Sequence, residues 1–206
     1  MKNKTLLLTI VALMFSIHLN AQETGTFTDN RDGKSYKTVQ IGSQIWMAEN
    51  LNYETSSGSW VYDNNTGNAS TYGRLYNWET ACTVCPDGWH LPSDNEWKEL
   101  EMYLGMSKKD ANKKGYRGTN EGDKLKAISG WDSNGNGTNE SGFTALPGGF
   151  MATDSFSNLG SHASFWSATE YMSYYARHRG LFCDMSEMCR TGEHEAWSFS
   201  VRCVKD

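Results

Sequence analysis

The chain has 206 residues, of which 24 are acidic and 19 are Lys or Arg, so its formal net charge is −5 at pH 7. This acidic balance, without clusters of basic residues, argues against nucleic acid and anionic membranes as partners. Eight Trp, ten Tyr and twenty Gly predict a loop-rich fold held together by a few large aromatic anchors.

Residues 1–21 have the pattern of a secretory signal peptide. Lys2 and Lys4 give a positive start, residues 6–17 form an apolar run too short to span a bilayer, and Ala21 offers a cleavage site. No cysteine follows the run to take a lipid. We therefore expect an exported protein that is secreted, periplasmic or associated with the cell surface. Its mature part, without a transmembrane segment, keeps 17 basic and 24 acidic residues, a net charge of −7.

The mature chain is predicted to form one domain. Residues 22–28 are expected to be a short polar lead-in, and residues 29–206 show no repeat and no internal linker. The domain opens as strand, turn, strand, because Asp32-Gly33 is a hairpin signal between runs of β-forming residues. Residues 54–73 are rich in Ser, Asn, Gly and Thr and predict an irregular, exposed loop.

Two helices are predicted in the middle of the chain. The first begins with a capping box, in which the Ser93 side chain accepts a hydrogen bond from the Glu96 amide and the glutamate reaches back. Apolar residues follow at helical spacing until Gly105, which ends the helix. A second, more polar helix is predicted over residues 107–114.

The second half of the chain predicts a long loop and then strands. Residues 130–149 are almost entirely turn-forming. Short β-like runs follow at residues 165–169, 179–183 and 198–204. The last run alternates apolar with polar residues, which predicts a half-buried strand. Strands, two helices, a long loop and further strands together are typical of an α+β domain.

The long loop contains a candidate calcium site. Residues 132–137 (DSNGNG) match the first half of a calcium-binding loop, in which oxygen ligands alternate around a glycine bend. The candidate ligands are Asp132, Asn134, Asn136 and Glu140. The second half departs from the pattern, because the twelfth position holds Phe143 instead of a glutamate. A polar Asn-Gly turn explains the same residues. The sequence therefore requires no cofactor and leaves calcium as a candidate.

Aromatic residues in polar loop contexts are candidates for ligand contact. An exposed ring in such a place can stack on a sugar, but many such rings merely cover a core. The candidate ligand-binding residues are Trp60, Trp131, Tyr171, Tyr174 and Tyr175.

Several stretches resemble the Fibrobacter succinogenes major paralogous domain family. They are residues 30–53, YGRLYNW (72–78), CPDGWHLPSDNEW (85–97), SGFTALPGGF (141–150), FWSATE (165–170) and SVRCVKD (200–206). The resemblance covers nearly all of the mature chain in the right order. It implies a C-type lectin-like fold of short antiparallel strands, two helices and long irregular loops. It also implies a more distant similarity to formylglycine-generating sulfatase modifiers, which share the HLPSDNEW and SVRCV patterns.

Cys82 and Cys85 are interpreted with this resemblance in mind. They do not suit a redox pair, because the next predicted helix begins only at Ser93, and a zinc site would need two further ligands. In an exported chain disulfides are the default, and five cysteines leave one thiol over. The lectin-like resemblance implies a bridge between Cys85 and Cys203, which makes Cys82 the free thiol.

Cys183 and Cys189 leave two alternatives. They can form a disulfide across a hairpin. They also resemble the copper-binding pair of formylglycine-generating enzymes, since two thiolates suit Cu(I), although their spacing differs from that pair by one residue. The first alternative fits a binding module and the second an oxidase.

The sequence therefore predicts an exported binding or adhesion module, with a glycan or a surface protein as its ligand and no nucleic acid partner. The Glu-Pro-Asn and Gln-Pro-Asp motifs of calcium-dependent C-type lectins are absent, so that mechanism is not supported. A copper-dependent oxidase and a structural envelope component are the alternatives. A binding role is favoured over an enzymatic one.

Overall fold

The structure, a computed structural model, describes residues 23–206. The predicted signal peptide at residues 1–21 lies outside the described residues. Most of the regular secondary structure in the described chain is strand and forms two open sheets, with a few short helices between them. The prediction of a mixed domain of helices and strands is confirmed at this level.

The strands of the first sheet are β1 Thr24–Thr28, β2 Ser35–Ile41, β3 Gln44–Met47, β6 Trp89–His90 and β14 Val204–Lys205. The strands of the second sheet are β4 Ser59–Trp60, β5 Leu75–Asn77, β7 Gly115–Arg117, β8 Gly148–Ala152, β9 Ser155–Leu159, β10 His162–Met172, β11 Tyr175–Phe182, β12 Met188–His194 and β13 Ser198–Ser200. The helices are α1 Thr66–Tyr72, α2 Trp78–Ala81, α3 Asp94–Tyr103, α4 Lys108–Ala111 and α5 Glu121–Leu125, with a 3₁₀ turn at Tyr62–Asn64. Among residues 23–206, no helix is long and apolar enough to cross a membrane.

The first sheet has the strand order β1-β2-β3-β14-β6, and all of its pairings are antiparallel. Its edge strand β1 corrects one expectation. The lead-in predicted at residues 22–28 is mostly a strand, because Thr24 to Thr28 pair with Val39 to Ser35. Threonine and phenylalanine favour strands, so this polar segment can extend the sheet.

The second sheet has the order β4-β5-β13-β8-β10-β11-β12-β7, and β9 branches from this order as a further antiparallel partner of β8. Most neighbours are antiparallel, but β10 makes a parallel contact with β8 and another with β13. The expectation of purely antiparallel strands is therefore incomplete. Strands β10, β11 and β12 form a continuous antiparallel meander at the centre of this sheet.

Helix α3 begins as predicted. The Glu96 amide donates to Ser93 Oγ at 3.2 Å, and the Ser93 amide donates to Glu96 Oε2 at 2.7 Å, so both halves of the capping box are present. Trp97 and Leu100 form the buried face of the helix. The second predicted helix is confirmed in shorter form as α4, whose N-cap is Ser107.

The predicted count of two helices is too low. The segment 54–73, predicted to be an irregular loop, contains β4, the 3₁₀ turn and α1. Helix α1 is polar along its whole length and buries no residue fully, so its pattern lacks the apolar periodicity that would have revealed it. Its N-cap is Asn65, whose side chain accepts a hydrogen bond from the Gly67 amide at 3.0 Å.

Strand β10 separates two apolar clusters. Phe165 belongs to the cluster that contains Trp97 and Phe143, and its ring lies 5.8 and 5.6 Å from theirs. The next residue, Trp166, projects to the opposite face and packs on Phe199 at 4.3 Å. Since successive strand residues point to opposite faces, burial on both faces makes β10 a central layer of the domain.

The run 198–204 does not form the single half-buried strand that its alternation predicts. It divides into β13, in the second sheet, and β14, in the first. Ser200 and Arg202, the residues predicted to face solvent, are both buried. The prediction is wrong because the chain passes between two sheets here, so both of its faces are covered.

A buried ionic network joins α3 to the inner face of β7, β11 and β12. Glu101 accepts hydrogen bonds from Arg179 Nε at 2.5 Å and from Arg117 Nη2 at 2.6 Å. Asp94 accepts from Arg179 Nη1 at 3.0 Å and from Arg190 Nε and Nη2 at 2.7 Å each. Burial alone would raise the pKa of Asp94, but the hydrogen bonds from Arg190 and the charge of Arg179 hold it far below its usual range.

Candidate ligand-binding site

The outer face of the β10–β11–β12 meander, next to the apolar cluster of Trp166 and Phe199, carries several polar side chains among its aromatic ones. Residues directly opposite each other in antiparallel strands share a face. His162 lies opposite Phe182, and His178 lies opposite Thr191, so these four residues project to the same side of the sheet. Arg179, between two of them in sequence, points the other way into the ionic network.

These side chains line a concave space of about 260 Å³, which we call the aromatic hollow. Its ring-bearing walls are Tyr116, Phe150, His162, Phe182, Trp197 and Phe199. The rings of Phe150 and Trp197 are stacked, 5.7 Å apart and nearly parallel at 5°. The rings of His162 and Phe182 meet edge to face at 4.6 Å. The walls of the hollow are thus a nearly continuous aromatic surface.

His178 is the unusual polar residue of this hollow. Its side chain is buried, and neither Nδ1 nor Nε2 makes a hydrogen bond of ordinary geometry to the residues that the structure describes. The Arg179 backbone is its nearest approach to a partner and acts on the imidazole only weakly, in the direction that raises its pKa. Burial, assisted by the charge of Arg179, lowers its pKa to about 3. The imidazole is therefore neutral at pH 7 and offers one donor and one acceptor that no protein group uses.

A carboxyl group lies beside this histidine. Glu193 Oε1 is 3.8 Å from His178 Nε2, which is too long for a hydrogen bond. Burial raises the pKa of Glu193. The hydroxyls of Ser164 and Thr191 also line the hollow. The two hydroxyls can donate and accept hydrogen bonds, the carboxylate oxygens can accept them, and the neutral imidazole has one nitrogen of each kind.

Replacement of His178 by phenylalanine is expected to raise the free energy of unfolding by about 1–3 kcal/mol, because it removes two buried polar atoms that lack partners. The gain should grow below pH 6.5. The unfolded histidine takes up a proton near pH 6.5 and folded His178 only near pH 3, so the wild-type protein loses about 1.4 kcal/mol per pH unit between these values. Urea unfolding at several pH values measures both effects.

The matched control is His194→Phe, the same substitution at an exposed histidine that ends β12. We expect it to change stability by less than about 1 kcal/mol at every pH tested. If His178→Phe instead destabilises the protein, or if its effect does not depend on pH, then His178 has partners that contribute to stability and is not an unpaired group.

The cysteines confirm part of the disulfide prediction. Cys85 and Cys203 are bonded, with an S–S distance of 2.04 Å across a sequence separation of 118 residues. Cys82 is an exposed free thiol, as predicted. Desolvation of its sulfur and the nearby Glu195 carboxylate raise its pKa to about 11. The interpretation of Cys82 and Cys85 as an inactive pair therefore fits the structure.

The predicted bond between Cys183 and Cys189 is absent, and both are free thiols. In the β11–β12 pairing, Cys189 lies opposite Gly180. Cys189 lines the aromatic hollow, whereas Cys183 packs against the cluster of Phe165 on the inner side of the sheet. Because the two side chains are directed to different faces, they fit neither the hairpin disulfide nor a shared copper ion.

The predicted aromatic residues do not form one site. Trp131 is buried, with 5% of its surface exposed, and its Nε1 donates to the Ala145 carbonyl at 3.0 Å, so its prediction as an exposed ring is wrong. Trp60 is half-buried against Tyr62. The burial of both tryptophans results from tertiary packing, which the polar sequence around them does not reveal.

The three predicted tyrosines belong to the outer end of the β10–β11 hairpin. Tyr174 and Tyr175 are 73% and 37% exposed. The Tyr171 hydroxyl accepts a hydrogen bond from Lys114 Nζ at 2.8 Å, and the Arg177 guanidinium lies 3.9 Å from the centre of its ring. None of these tyrosines lines the aromatic hollow.

The candidate calcium residues occupy a tight turn in the long loop. The Asn136 side-chain oxygen accepts a hydrogen bond from the Trp131 amide at 3.0 Å, which closes the turn. The Asp132 amide donates to the Gly160 carbonyl at 2.8 Å. Within residues 23–206, no three His, Cys, Asp or Glu residues are grouped so that they could hold a metal ion. Calcium binding by Asp132, Asn134, Asn136 and Glu140 stays a prediction.

Sequence reasoning missed the residues that form the aromatic hollow. A signal was present for His178, which directly precedes the predicted strand run at residues 179–183, but not for His162. The pattern could not show that β8 and β13 bring Phe150 and Trp197 over the same face, because those contacts join distant parts of the chain.

The fold and the site define the class of the protein, a mixed domain of two open sheets closed by a long-range disulfide, with an aromatic hollow on its central meander. The chain belongs to the Fibrobacter succinogenes major domain family, whose model matches residues 39–205. This confirms the resemblance found in the sequence. No curated protein and no solved structure matches the chain.

Proposed function

We propose that this protein is an exported binding module that holds a neutral sugar unit in the aromatic hollow. The observation that carries the proposal is His178, a buried neutral imidazole whose two nitrogens are unpaired among the described residues and which borders an aromatic surface. Buried polar groups are nearly always hydrogen-bonded, so this exception beside a concave space marks a place where a ligand's hydrogen bonds would be favourable. Both nitrogens are closed to solvent in this structure, so binding requires a small shift of the side chains that cover them.

The chemistry of the hollow matches that of a sugar. A sugar ring has apolar C–H faces that can lie on flat aromatic rings such as Phe150 and Trp197. Its hydroxyls both donate and accept hydrogen bonds, and the two nitrogens of His178 supply one group of each kind. Thr191 and Glu193 add further polar atoms at the same site. The neutral state of the imidazole at pH 7 favours an uncharged ligand.

The size of the hollow separates the two expected kinds of ligand. Its volume of about 260 Å³ lies just below the range of about 300–1,000 Å³ that is usual for small-molecule sites. One sugar unit or the end of a glycan chain suits this volume, whereas a protein surface needs a broad, flat contact. Among the expected ligands, a glycan is therefore favoured over a surface protein.

A C-type lectin-like fold and export remain part of this proposal. The bond between Cys85 and Cys203 and the long loop that ends before β8, at residues 130–147, support the likeness to that fold. The disulfide also fits an oxidising compartment. Cleavage of the precursor after Ala21 would give a mature protein that begins at Gln22. N-terminal mass analysis of protein recovered from the envelope or the medium tests this. The oxidase alternative lacks its copper pair, and a purely structural role leaves His178 unexplained.

We expect a glycan array to show binding to one class of neutral sugar, and binding that persists in the presence of EDTA because the hollow needs no calcium. In titration calorimetry with the best glycan, His178→Phe should weaken binding at least about tenfold, which corresponds to the loss of one or two buried hydrogen bonds. The folded state should remain intact, since this substitution is expected to stabilise it.

Tyr174→Ser is the matched control at the tip of the β10–β11 hairpin, outside the hollow. If Tyr174→Ser abolishes binding while His178→Phe leaves it unchanged, the ligand is held by the hairpin tip and the proposal fails. Loss of binding in EDTA together with loss in Asp132→Asn would favour the calcium site of the long loop instead.

A further inference from the structure

A second concave region, which we call the polar hollow, lies where residues 34–37, 48–52, 69–73 and 144–146 meet. Its volume of about 590 Å³ exceeds that of the aromatic hollow. Its polar lining includes Lys34, Lys37, Glu49, Asn50, Thr144 and Arg202. The neutral-sugar site uses none of these residues, so the polar hollow calls for a separate explanation.

Arg202 is buried, and four of its five N–H donors are engaged. Nε donates to Asn50 Oδ1 at 2.6 Å, and Nη2 donates to the Thr144 carbonyl at 2.9 Å. Nη1 donates to the carbonyls of Met47 and Phe143 at 3.1 and 2.5 Å. All four acceptors are uncharged. Arg202 therefore has hydrogen-bond partners but no ion-pair partner within the described part of the chain.

A buried cation without an opposing charge is costly, and burial lowers the pKa of Arg202 to about 9. The second N–H of Nη2 has no acceptor among residues 23–206. The lining of the polar hollow thus includes a buried cation that forms no ion pair with the described residues and has one N–H without an acceptor among them. A carboxylate satisfies both, because guanidinium groups bind carboxylates through charge-assisted hydrogen bonds.

The charged residues at the rim of the polar hollow also favour a negatively charged ligand. Lys37 is exposed, and its ammonium group has no partner among the described residues. Lys34 is paired with Asp32 at 2.8 Å. Glu49, whose side chain accepts a hydrogen bond from the Lys37 amide at 2.7 Å, is the carboxylate whose charge acts on the Arg202 pKa. The lining residues retain a positive balance, in contrast to the acidic chain as a whole.

We propose that the polar hollow binds a sugar acid, a small carboxylate that also carries hydroxyl groups, with its carboxylate directed to Arg202 and Lys37. The charge of Arg202 selects the carboxylate over a neutral sugar. The side chains of Ser70, Thr71 and Asn52 place hydroxyl and amide groups around the rest of the space, which suits the hydroxyls of the ligand. The site is separate from the aromatic hollow and does not depend on the neutral-sugar proposal.

Titration calorimetry with galacturonate tests the site, with methyl galactoside as the neutral analogue and inorganic phosphate as an anion that lacks the sugar hydroxyls. We expect galacturonate to bind about tenfold more tightly than either probe at low salt, and more weakly as salt is added. A galacturonate trimer distinguishes a chain end from a free monomer, since unhindered binding of the trimer shows that the hollow accepts a chain end.

Two exposed positions supply variants of opposite sign that should both fold. Lys37→Gln removes a positive charge and is expected to weaken galacturonate binding about fivefold, whereas Glu49→Gln removes a negative charge and should tighten it by a similar factor. Lys109→Gln, a surface lysine on α4, is the control and should have no effect. His178→Phe should also leave galacturonate binding unchanged.

Three results would overturn the sugar-acid site. They are no galacturonate binding at millimolar concentration, equal affinity for methyl galactoside or phosphate, and a failure of Lys37→Gln and Glu49→Gln to shift the affinity in opposite directions. If galacturonate binding is lost in His178→Phe but retained in Lys37→Gln, the acid occupies the aromatic hollow and the polar hollow has no such role.

Discussion

Replacement of Glu101 by glutamine is expected to lower the free energy of unfolding by about 3–5 kcal/mol. Glu101 is fully buried and accepts hydrogen bonds from Arg179 and Arg117. Glutamine keeps the size of the side chain and one acceptor oxygen but removes the charge. The network then holds three buried arginines around a single buried carboxylate, that of Asp94. Uncompensated buried charge is the dominant cost, since desolvation of each ion is worth several kcal/mol.

Urea unfolding at pH 7 measures this effect, and Glu99→Gln provides the control. Glu99 lies on the same helix, α3, but on its exposed face, so the identical substitution should change stability by no more than about 0.5 kcal/mol. Equal unfolding midpoints for the two variants would show that the arginine charges are neutralised in another way. The network also supports β11 and β12 from behind, so a loosened network should weaken ligand binding in the aromatic hollow.

Removal of the Cys85–Cys203 disulfide is expected to have the second large effect. The bond closes a loop with a sequence separation of 118 residues, for which the chain-entropy model gives roughly 4–5 kcal/mol. The double variant Cys85→Ala with Cys203→Ala should lose about this much stability. The bond joins the segment before α3 to the last residues of the domain, so its loss frees these distant parts of the unfolded chain from each other while the pairings of β14 with β3 and β6 remain in the folded state.

Cys82→Ala is the control for the disulfide, because it removes a cysteine from the same segment without removing a bond, and it should leave stability nearly unchanged. Mass mapping of the unreduced protein gives an independent check. We expect one linked peptide pair that contains Cys85 and Cys203, and alkylated thiols at Cys82, Cys183 and Cys189. A linked Cys183–Cys189 peptide would contradict the placement of these two side chains on different faces.

Local signals in the sequence were sufficient for some elements. The capping box at Ser93 and Glu96 is formed by residues three apart, so its prediction needs no knowledge of the rest of the chain. Burial was harder to predict. Arg202 is covered by carbonyl groups of residues 143 and 144, and nothing near it in the sequence indicates that contact. Trp131 is buried for the same kind of reason, since its partner Ala145 lies across the long loop.

The residues of the aromatic hollow were even harder to predict from the sequence, because they come from many separate strands. Its side chains come from β7, β8, β10, β11, β12 and the β13 region, and they meet only because the strands are adjacent in the sheet. The unpaired state of His178 is likewise a property of the assembled structure, since it depends on whether any neighbouring residue places a hydrogen-bond donor or acceptor within reach of the imidazole. Family resemblance could predict the domain, but it could not predict which of its surfaces would be concave and polar.

The raised pKa of Cys82 has a kinetic consequence for the disulfide next to it. Only the thiolate attacks a disulfide, and Cys82 is three residues from the bonded Cys85. With its pKa raised to about 11, Cys82 is almost entirely protonated at pH 7, and its thiolate is roughly 100-fold scarcer than that of a cysteine with a pKa of 9. Exchange between the native crosslink and the thiol nearest to it in the sequence is thereby slowed, so an unpaired cysteine can persist there without scrambling the bridge.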